Sequence, residues 1–186
     1  MKKKNKPPCY DAADTVKARD FTKGGLMTTA SSETLQKRLE RCGHMMEEAG
    51  LDVLLLTKPS NMCYLTGDGR LCAYAMVTRD GKVALGVPQT DLVDVKQLAR
   101  FDQISGFENE VGMIHSIAHH FEHFGIKQGS VGLEYTFLTK SMMGMLTHPH
   151  AKPESIAVKD CTHILSELRI VKDEGEIGLI LSLIHI

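Results

Sequence analysis

Three histidines at four-residue spacing are the strongest chemical pattern in the sequence. His115, His119 and His123 lie in the segment HSIAHHFEH, where His119, Glu122 and His123 also match the H-x-x-E-H string of inverted zinc peptidases. Imidazoles on adjacent turns of a helix can bind zinc, and a carboxylate between them can act as a general base. The segment is therefore a candidate metal site.

The helical arrangement of this segment argues against metal catalysis. At about 100° of rotation per residue, the apolar side chains gather on one face and the three histidines fall on the opposite face. The apolar face is predicted to consist of Ile117, Ala118, Phe121 and Phe124. Because a third ligand would have to come from elsewhere in the chain, we expect a solvated histidine face that at most binds metal weakly.

Other patterns that are typical of catalytic sites are weak. His148 and His150 flank Pro149 in a turn, which favours a surface loop over a pair of ligands. The loop Gly67–Gly69 lacks the spacing of a phosphate-binding motif, and the chain contains no G-x-S-x-G nucleophile elbow. Motifs alone therefore predict no catalytic site.

Composition narrows the class of protein. The 22 basic and 23 acidic residues nearly cancel, which argues against a nucleic-acid or anionic-membrane partner. The five cysteines form no C-x-x-C pair, which indicates free thiols in a reducing compartment. No apolar run reaches the ~18 residues that a transmembrane helix needs. We expect a cytoplasmic protein.

Hydrophobic periodicity predicts an α/β domain with a mixed sheet flanked by helices. The predicted helices cover residues 32–49, 89–99, 108–125, 136–148 and 161–169, and the predicted strands cover 52–56, 71–78, 82–87, 101–107, 129–135 and 154–160. Between them, a turn at Pro59–Asn61 is expected to lead into an irregular segment up to Gly67. The Asp80-Gly81 pair predicts a hairpin, so at least one pair of strands is antiparallel.

The two ends of the sequence differ from its middle. Residues 1–31 show no hydrophobic periodicity, and we expect a disordered segment or an untranslated leader with the true start at Met27. Residues 171–180 begin another helix at the charged segment Lys172–Glu176. Residues 181–186 read like a translated sequencing adapter and are expected to be a non-native tail.

Two segments resemble the creatinase, prolidase and Xaa-Pro aminopeptidase family. The first, RLERCGHMMEEAGLDVLLLTKPSNMCYLTG, resembles the family's opening helix and strand followed by Asn-x-x-Tyr-Leu-Thr-Gly. Its matching residues are Gly50, Asp52, Asn61, Tyr64, Leu65, Thr66 and Gly67. The second, LSELRIVKDEGEIGLI, resembles the helix that joins the family's two domains. Its matching residues are Leu168, Arg169, Lys172, Glu176 and Ile177, and VGLEY at 131–135 resembles a strand between the two segments.

The resemblance implies that residues 32–170 are the N-terminal domain of a hydrolase that cleaves peptides before proline. In that family this domain has a ribonuclease H-like sheet. A second, pita-bread domain, absent here, holds two divalent ions (Mn, Co or Zn) through two Asp, one His and two Glu, which activate a water. The chain is then expected to hold no catalytic residue and to be inactive alone. Its expected partners are its own catalytic domain and a second copy.

The resemblance also implies candidate binding residues. The loop Asp68–Arg70 lies where a contact with a partner's active site could originate, and Arg70 could clamp a substrate carboxylate. Asn61, Tyr64 and Gly67 are expected to hold the turn that aims this loop. Three alternatives stay open: a fragment of a creatinase-like amidinohydrolase, a stand-alone binding module without a catalytic half, and a metal protein built on the histidines of 115–123.

Overall fold

In the described part of the chain, strands and helices build a seven-stranded sheet covered by helices on both faces. The computed structural model describes residues 9–11 and 30–184. The strands are β1 (Cys9–Asp11), β2 (Val53–Leu56), β3 (Tyr74–Thr78), β4 (Val83–Pro88), β5 (Gln103–Phe107), β6 (Gly129–Leu133) and β7 (Ile156–Asp160). The helices are α1 (Ser32–Glu48), α2 (Pro59–Thr66), α3 (Leu92–Leu98), α4 (Glu110–His123), α5 (Lys140–Leu146), α6 (Thr162–Ile170) and α7 (Glu174–Ile184).

The sheet is mixed, in the order β1-β5-β4-β3-β2-β6-β7. Strand β3 is antiparallel to both β2 and β4, while β4 and β5, β2 and β6, and β6 and β7 are parallel pairs. Strands β2, β4, β5, β6 and β7 therefore run in one direction, and their C-terminal ends meet at one edge of the sheet. This edge, called the carboxyl edge below, is where ligands usually bind in open α/β sheets.

The central strands are buried on both faces because each face carries its own layer of helices. In β2, Leu54 and Leu56 pack into a core with α1, α2, α3 and α6. Val53 and Leu55 point the other way, into a second core with α4 and α5. Side chains alternate between the faces of a strand, so a strand covered on both sides must be apolar throughout. The predicted mixed α/β sheet flanked by helices is confirmed.

The expected irregular segment between Pro59 and Gly67 is wrong, because residues 59–66 form helix α2. Proline, serine and asparagine suit a turn, but they also suit the first turn of a helix, where the missing N–H of Pro59 costs no hydrogen bond. Burial of Met62 and Leu65 stabilises the helix, and Gly67 ends it with a φ of 85°. Tertiary packing thus selects the helix where local chemistry favours a turn.

Much of the predicted leader lies outside the described residues, which exclude 1–8 and 12–29 and therefore the alternative start at Met27. Among the residues of the predicted leader that are described, Cys9–Asp11 form the edge strand β1, which pairs antiparallel with β5. Helix α7 runs through the predicted boundary at residue 180, whereas residues 185–186 of the predicted tail are not described. The predicted domain boundaries therefore stay predictions. None of the helices in the described parts is long and apolar enough to cross a membrane.

Candidate functional site

The loop that carries Asp68 and Arg70 is held tightly against α2. The loop begins at Gly67, and the backbone of Gly69 then passes directly over the helix. A Cβ atom added to Gly69 would lie 2.3 Å from the Cβ of Met62, so only glycine fits there. The N–H of Gly69 also donates to the Cys63 sulfur at 3.2 Å. The close approach of two backbones therefore determines where the loop sits.

Asp68 and Arg70 form an ion pair within this loop. The Nε of Arg70 donates to both carboxylate oxygens, at 3.0 and 3.1 Å, and Nη2 donates to Oδ2 at 2.5 Å. The side chain of Arg70 is 50% exposed, whereas that of Asp68 is only 9% exposed. Burial raises the pKa of the Asp68 carboxyl, but the hydrogen bonds and charge of Arg70 outweigh burial and hold this pKa below its usual range.

This pairing bears on the predicted role of Arg70. Asp68 orients the planar guanidinium at the protein surface, and the same hydrogen bonds raise the pKa of Arg70. A substrate carboxylate would have to compete with the carboxylate of Asp68 for the same fork of N–H donors. The role of Arg70 as a substrate clamp stays a prediction.

A buried carboxylate at the carboxyl edge was missed by the sequence reasoning. Glu134 directly follows β6 and is 2% exposed. Its Oε2 accepts hydrogen bonds from the backbone N–H groups of Thr57 and Lys58 at 3.0 and 3.1 Å, and Oε1 accepts one from the side-chain amide of Asn61. These backbone groups lie at the start of α2, where the helix dipole and unsatisfied N–H groups attract an anion. Glu134 therefore occupies the anion site of this helix.

Asn61 extends the Glu134 contact to α6. Its Oδ1 accepts a hydrogen bond from Nη1 of Arg169 at 3.0 Å, and the same nitrogen lies 3.3 Å from the hydroxyl of Ser60. Asn61 therefore joins α2 to both β6 and α6 from a buried position. In the sequence, Glu134 stands out only as an acidic residue directly after an apolar strand. The groups that donate to it lie about 75 residues earlier in the chain, so the sequence does not reveal this pairing.

Tyr64 connects α2 to two further helices. Its hydroxyl donates to the carbonyl oxygen of Leu168 at 3.0 Å, and the guanidinium of Arg38 lies 4.1 Å from the centre of its ring. Burial is the largest influence on the Tyr64 hydroxyl and raises its pKa. Arg38 also donates to Asp173 through Nε at 3.0 Å. Tyr64 and Arg38 thus fasten α1, α2 and α6 to the segment that precedes α7.

The predicted charged start of the last helix is confirmed as a capping box. The N–H of Asp173 donates to Glu176 Oε2 at 3.1 Å, and the N–H of Glu176 donates to Asp173 Oδ1 at 2.9 Å. Burial raises the pKa of Asp173, but the backbone donor of Glu176 and the guanidinium of Arg38 outweigh it, so the pKa lies below its usual range.

The three histidines of α4 lie on its outer side. His115 and His123 are exposed and His119 is half-buried, and the ring centres of His119 and His123 are 6.3 Å apart. In the parts of the chain that are described, no group of three or more His, Cys, Asp or Glu side chains could hold a metal ion. Within the predicted inner face, Ile117 and Phe121 are buried and Phe124 packs against the second core, but Ala118 is only half-buried.

The true inner face of α4 carries a buried polar network. His120 Nδ1 lies 3.0 Å from the hydroxyl of Tyr74 and Nε2 lies 3.0 Å from that of Ser105, while Ser116 bonds to both hydroxyls. Burial lowers the pKa of His120 to about 3, with smaller contributions from the neighbouring His119 and His123. The imidazole is therefore neutral and shielded from solvent, and the network connects α4 to the sheet.

The mixed sheet and its two layers of helices define an α/β domain. At the carboxyl edge, the side chain of Glu134 accepts the hydrogen bonds of the backbone N–H groups at the start of α2, so a residue of the domain itself occupies this polar site. The particular family follows from the sequence comparison. The chain belongs to the creatinase/prolidase N-terminal domain family, whose model matches residues 38–171. No curated protein matches the chain.

Solved structures share this fold. An Xaa-Pro aminopeptidase from Streptococcus pyogenes is 22% identical with a TM-score of 0.57, and the match covers 75% of this chain and 100% of that one. An Xaa-Pro dipeptidase from Bacillus anthracis is 20% identical with a TM-score of 0.63, over 77% of this chain and 38% of that one. The prolidase from Pyrococcus furiosus is 22% identical with a TM-score of 0.56, and the match covers 75% of this chain and 40% of that one. The chain therefore spans well under half of the longer relatives.

Proposed function

We propose that this chain is the N-terminal, non-catalytic domain of an Xaa-Pro peptidase-like metallohydrolase. The observation that carries the proposal is the family match over residues 38–171, since the domain family is named for prolidase and creatinase. The fold of proteins described as Xaa-Pro aminopeptidase, Xaa-Pro dipeptidase and prolidase supports it. In the longer relatives the matched region is only 38–40% of the chain, which leaves room for a catalytic domain.

In this proposal the chemistry belongs to the second domain. Two divalent ions there, Mn, Co or Zn, would activate water for attack on the peptide bond before proline. The described residues of the present chain do not fit such a centre, because they contain no group of three or more His, Cys, Asp or Glu side chains that could hold a metal ion. No step of the reaction is therefore assigned to this domain.

The proposed contribution of this domain is dimerisation and control of access to the active site. Arg70 supports this role because its guanidinium is half-exposed and already oriented by Asp68, on a loop whose Gly69 lies directly against α2. In the assembled dimer, Arg70 would exchange the carboxylate of Asp68 for the terminal carboxylate of a short peptide. The partners are then the catalytic domain and a second copy, in the cytoplasm, without nucleic acid or membrane. The formal net charge of −1 is consistent with the last two exclusions.

Two measurements test the proposal. The chain alone, incubated with Mn²⁺, Co²⁺ or Zn²⁺ and a series of Xaa-Pro dipeptides, is expected to release no free proline, and turnover by the chain alone would overturn the non-catalytic role. In a longer protein that joins this chain to its catalytic domain, release of proline is expected. Release of sarcosine and urea from creatine instead would support the amidinohydrolase alternative, and a protein without either activity would support the stand-alone binding module.

The access role is tested by Arg70→Ala in that longer protein, with Lys82→Ala as control. Lys82 has an exposed side chain and pairs with Asp80 in a surface hairpin, so both variants remove one exposed cation from an ion pair. Arg70→Ala is expected to lower kcat/KM for Xaa-Pro dipeptides about tenfold or more, since a charge-assisted bidentate contact is lost. The Lys82 variant should leave kcat/KM unchanged. Equal kcat/KM in both variants would end the clamp hypothesis while leaving the family assignment intact.

A further inference from the structure

The outer side of α4 carries a pair of imidazoles that the proposed peptidase role does not use. His119 and His123 lie one helical turn apart, with ring centres 6.3 Å apart and ring planes inclined by 33°. His123 is exposed and His119 is half-buried, so a solute can reach both rings. We propose that His119 and His123 together bind one divalent transition-metal ion, such as Zn²⁺, Ni²⁺ or Cu²⁺, independently of any metal in a catalytic domain.

The geometry is close to what two metal-bound imidazoles require. With Zn–N bonds of about 2.0–2.1 Å on a tetrahedral centre, two ring centres come to lie roughly 5 Å apart. The observed separation of 6.3 Å exceeds this by about one ångström, which small rotations about the side-chain bonds can close. Each imidazole needs only one of its two nitrogens for the metal, so the other can keep a hydrogen bond.

His115 cannot complete the site, although it lies on the same side of the helix. It is eight residues before His123, and a rise of about 1.5 Å per residue separates the two along the axis by roughly 12 Å. A single ion therefore cannot bind all three rings of a straight helix. The site keeps open positions for water, and this is consistent with the described residues containing no cluster of three or more ligands.

The chemistry of the ligands selects the class of ion. Neutral imidazole suits zinc, copper and nickel, whereas Ca²⁺ and Mg²⁺ require oxygen ligands. Only the neutral imidazole binds a metal ion, so protons compete with the metal and the affinity should fall as the pH is lowered. Because both ligands belong to α4, a bound ion should also stabilise this helix against unfolding.

The experiment is isothermal titration of the whole chain with ZnCl₂ and NiCl₂ at pH 7.5, with MgCl₂ as a hard-cation control. The variants are His119→Gln, His123→Gln and the matched control His115→Gln, which removes an exposed histidine from the same helix side. Loss of His119 or His123 should weaken binding about tenfold or more, because one of two ligands is lost. His115→Gln should change the affinity by less than about twofold.

His148 and His150 form a second pair of neighbouring imidazoles and are the alternative metal site. The ring centres of His148 and His150 are 5.3 Å apart, but Nδ1 of His148 already accepts the N–H of His150 at 3.1 Å. Nε2 of His148 is still open to a metal ion, so this pair needs a test of its own: if the ion binds to α4, His148→Gln should leave the Zn²⁺ affinity unchanged. Loss of binding in this variant, or equal binding in the wild type and in His123→Gln, would overturn the proposal. Because His123 is exposed, its variant is expected to fold normally, and circular dichroism of each variant checks this.

Discussion

Replacement of Glu134 by glutamine should destabilise the domain well beyond the effect of an ordinary surface change. The carboxylate is 2% exposed and accepts three hydrogen bonds, from the N–H groups of Thr57 and Lys58 and from the amide of Asn61. In Glu134→Gln, one oxygen can still serve the two backbone donors. The new NH₂ group then faces the NH₂ group of Asn61, so one hydrogen bond is lost and two donors oppose each other.

The size of the effect follows from these contacts. A buried hydrogen bond to a charged group contributes about 1.5–3 kcal/mol, and the loss of the charge next to the N-terminus of α2 adds to this. We expect Glu134→Gln to lower the free energy of unfolding by about 2–3 kcal/mol. For a domain of this length, that loss lowers Tm by roughly 5–10 °C. Urea denaturation at pH 7.5 measures the first quantity and differential scanning calorimetry the second.

Two further variants determine whether the polarity of this contact causes the loss. Glu154→Gln makes the same chemical change at an exposed glutamate and should cost less than about 0.5 kcal/mol. Adding Asn61→Asp to Glu134→Gln restores an acceptor opposite the new NH₂ group, and the aspartate keeps its contact with Arg169. The double variant should recover about 1–2 kcal/mol relative to the sum of the single variants. The reasoning fails if Glu134→Gln resembles Glu154→Gln, or if the double variant shows no recovery.

Two other changes test the remaining supports of the site. Asp173→Asn should make the free energy of unfolding less dependent on pH. Because the pKa of Asp173 is lowered in the folded state, its contribution to stability is fully present above about pH 4 and is lost as the pH falls through that lowered pKa. Urea melts of wild type and variant between about pH 6 and 2.5 measure the difference, which should shrink towards acid pH, and a constant difference would contradict it. Gly69→Ala should cost about 1–3 kcal/mol through its clash with α2, whereas Gly144→Ala, in a helix with nothing within 4 Å, should be neutral or stabilising. Equal melting temperatures of the two glycine variants would contradict the close approach seen at Gly69.

The alternation of strands and helices was predictable from the sequence because it depends on local periodicity. Apolar residues of α1 recur every three or four positions, and β2 is apolar throughout, so each element could be read from its own residues. The capping box at Asp173 and Glu176 is equally local, since its partners are three residues apart. The family resemblance also rests on short segments in the correct order. All of these features are determined by interactions between residues that are close in the sequence.

Helix α2 and the inner face of α4 show where local reasoning fails. Pro59 at the start of α2 suits both a turn and a helix, and only the burial of the segment favours the helix. On α4, ranking residues by apolarity placed Ala118 in the core and overlooked His120, which is fully buried. A polar residue can face a core when hydroxyl groups from other elements satisfy its hydrogen bonds. Those partners, Tyr74 and Ser105, belong to separate strands.

The sequence by itself therefore determined the class of fold, the order of most of its elements and the family of the chain, because periodicity and short motifs are local properties. Only the tertiary structure decided which polar groups meet. It placed Glu134 against the N-terminus of α2 and paired the exposed Arg70 with the buried carboxylate of Asp68. Such contacts depend on strand order and on the direction of each side chain, which bring together groups that are far apart along the chain and orient even those that are close.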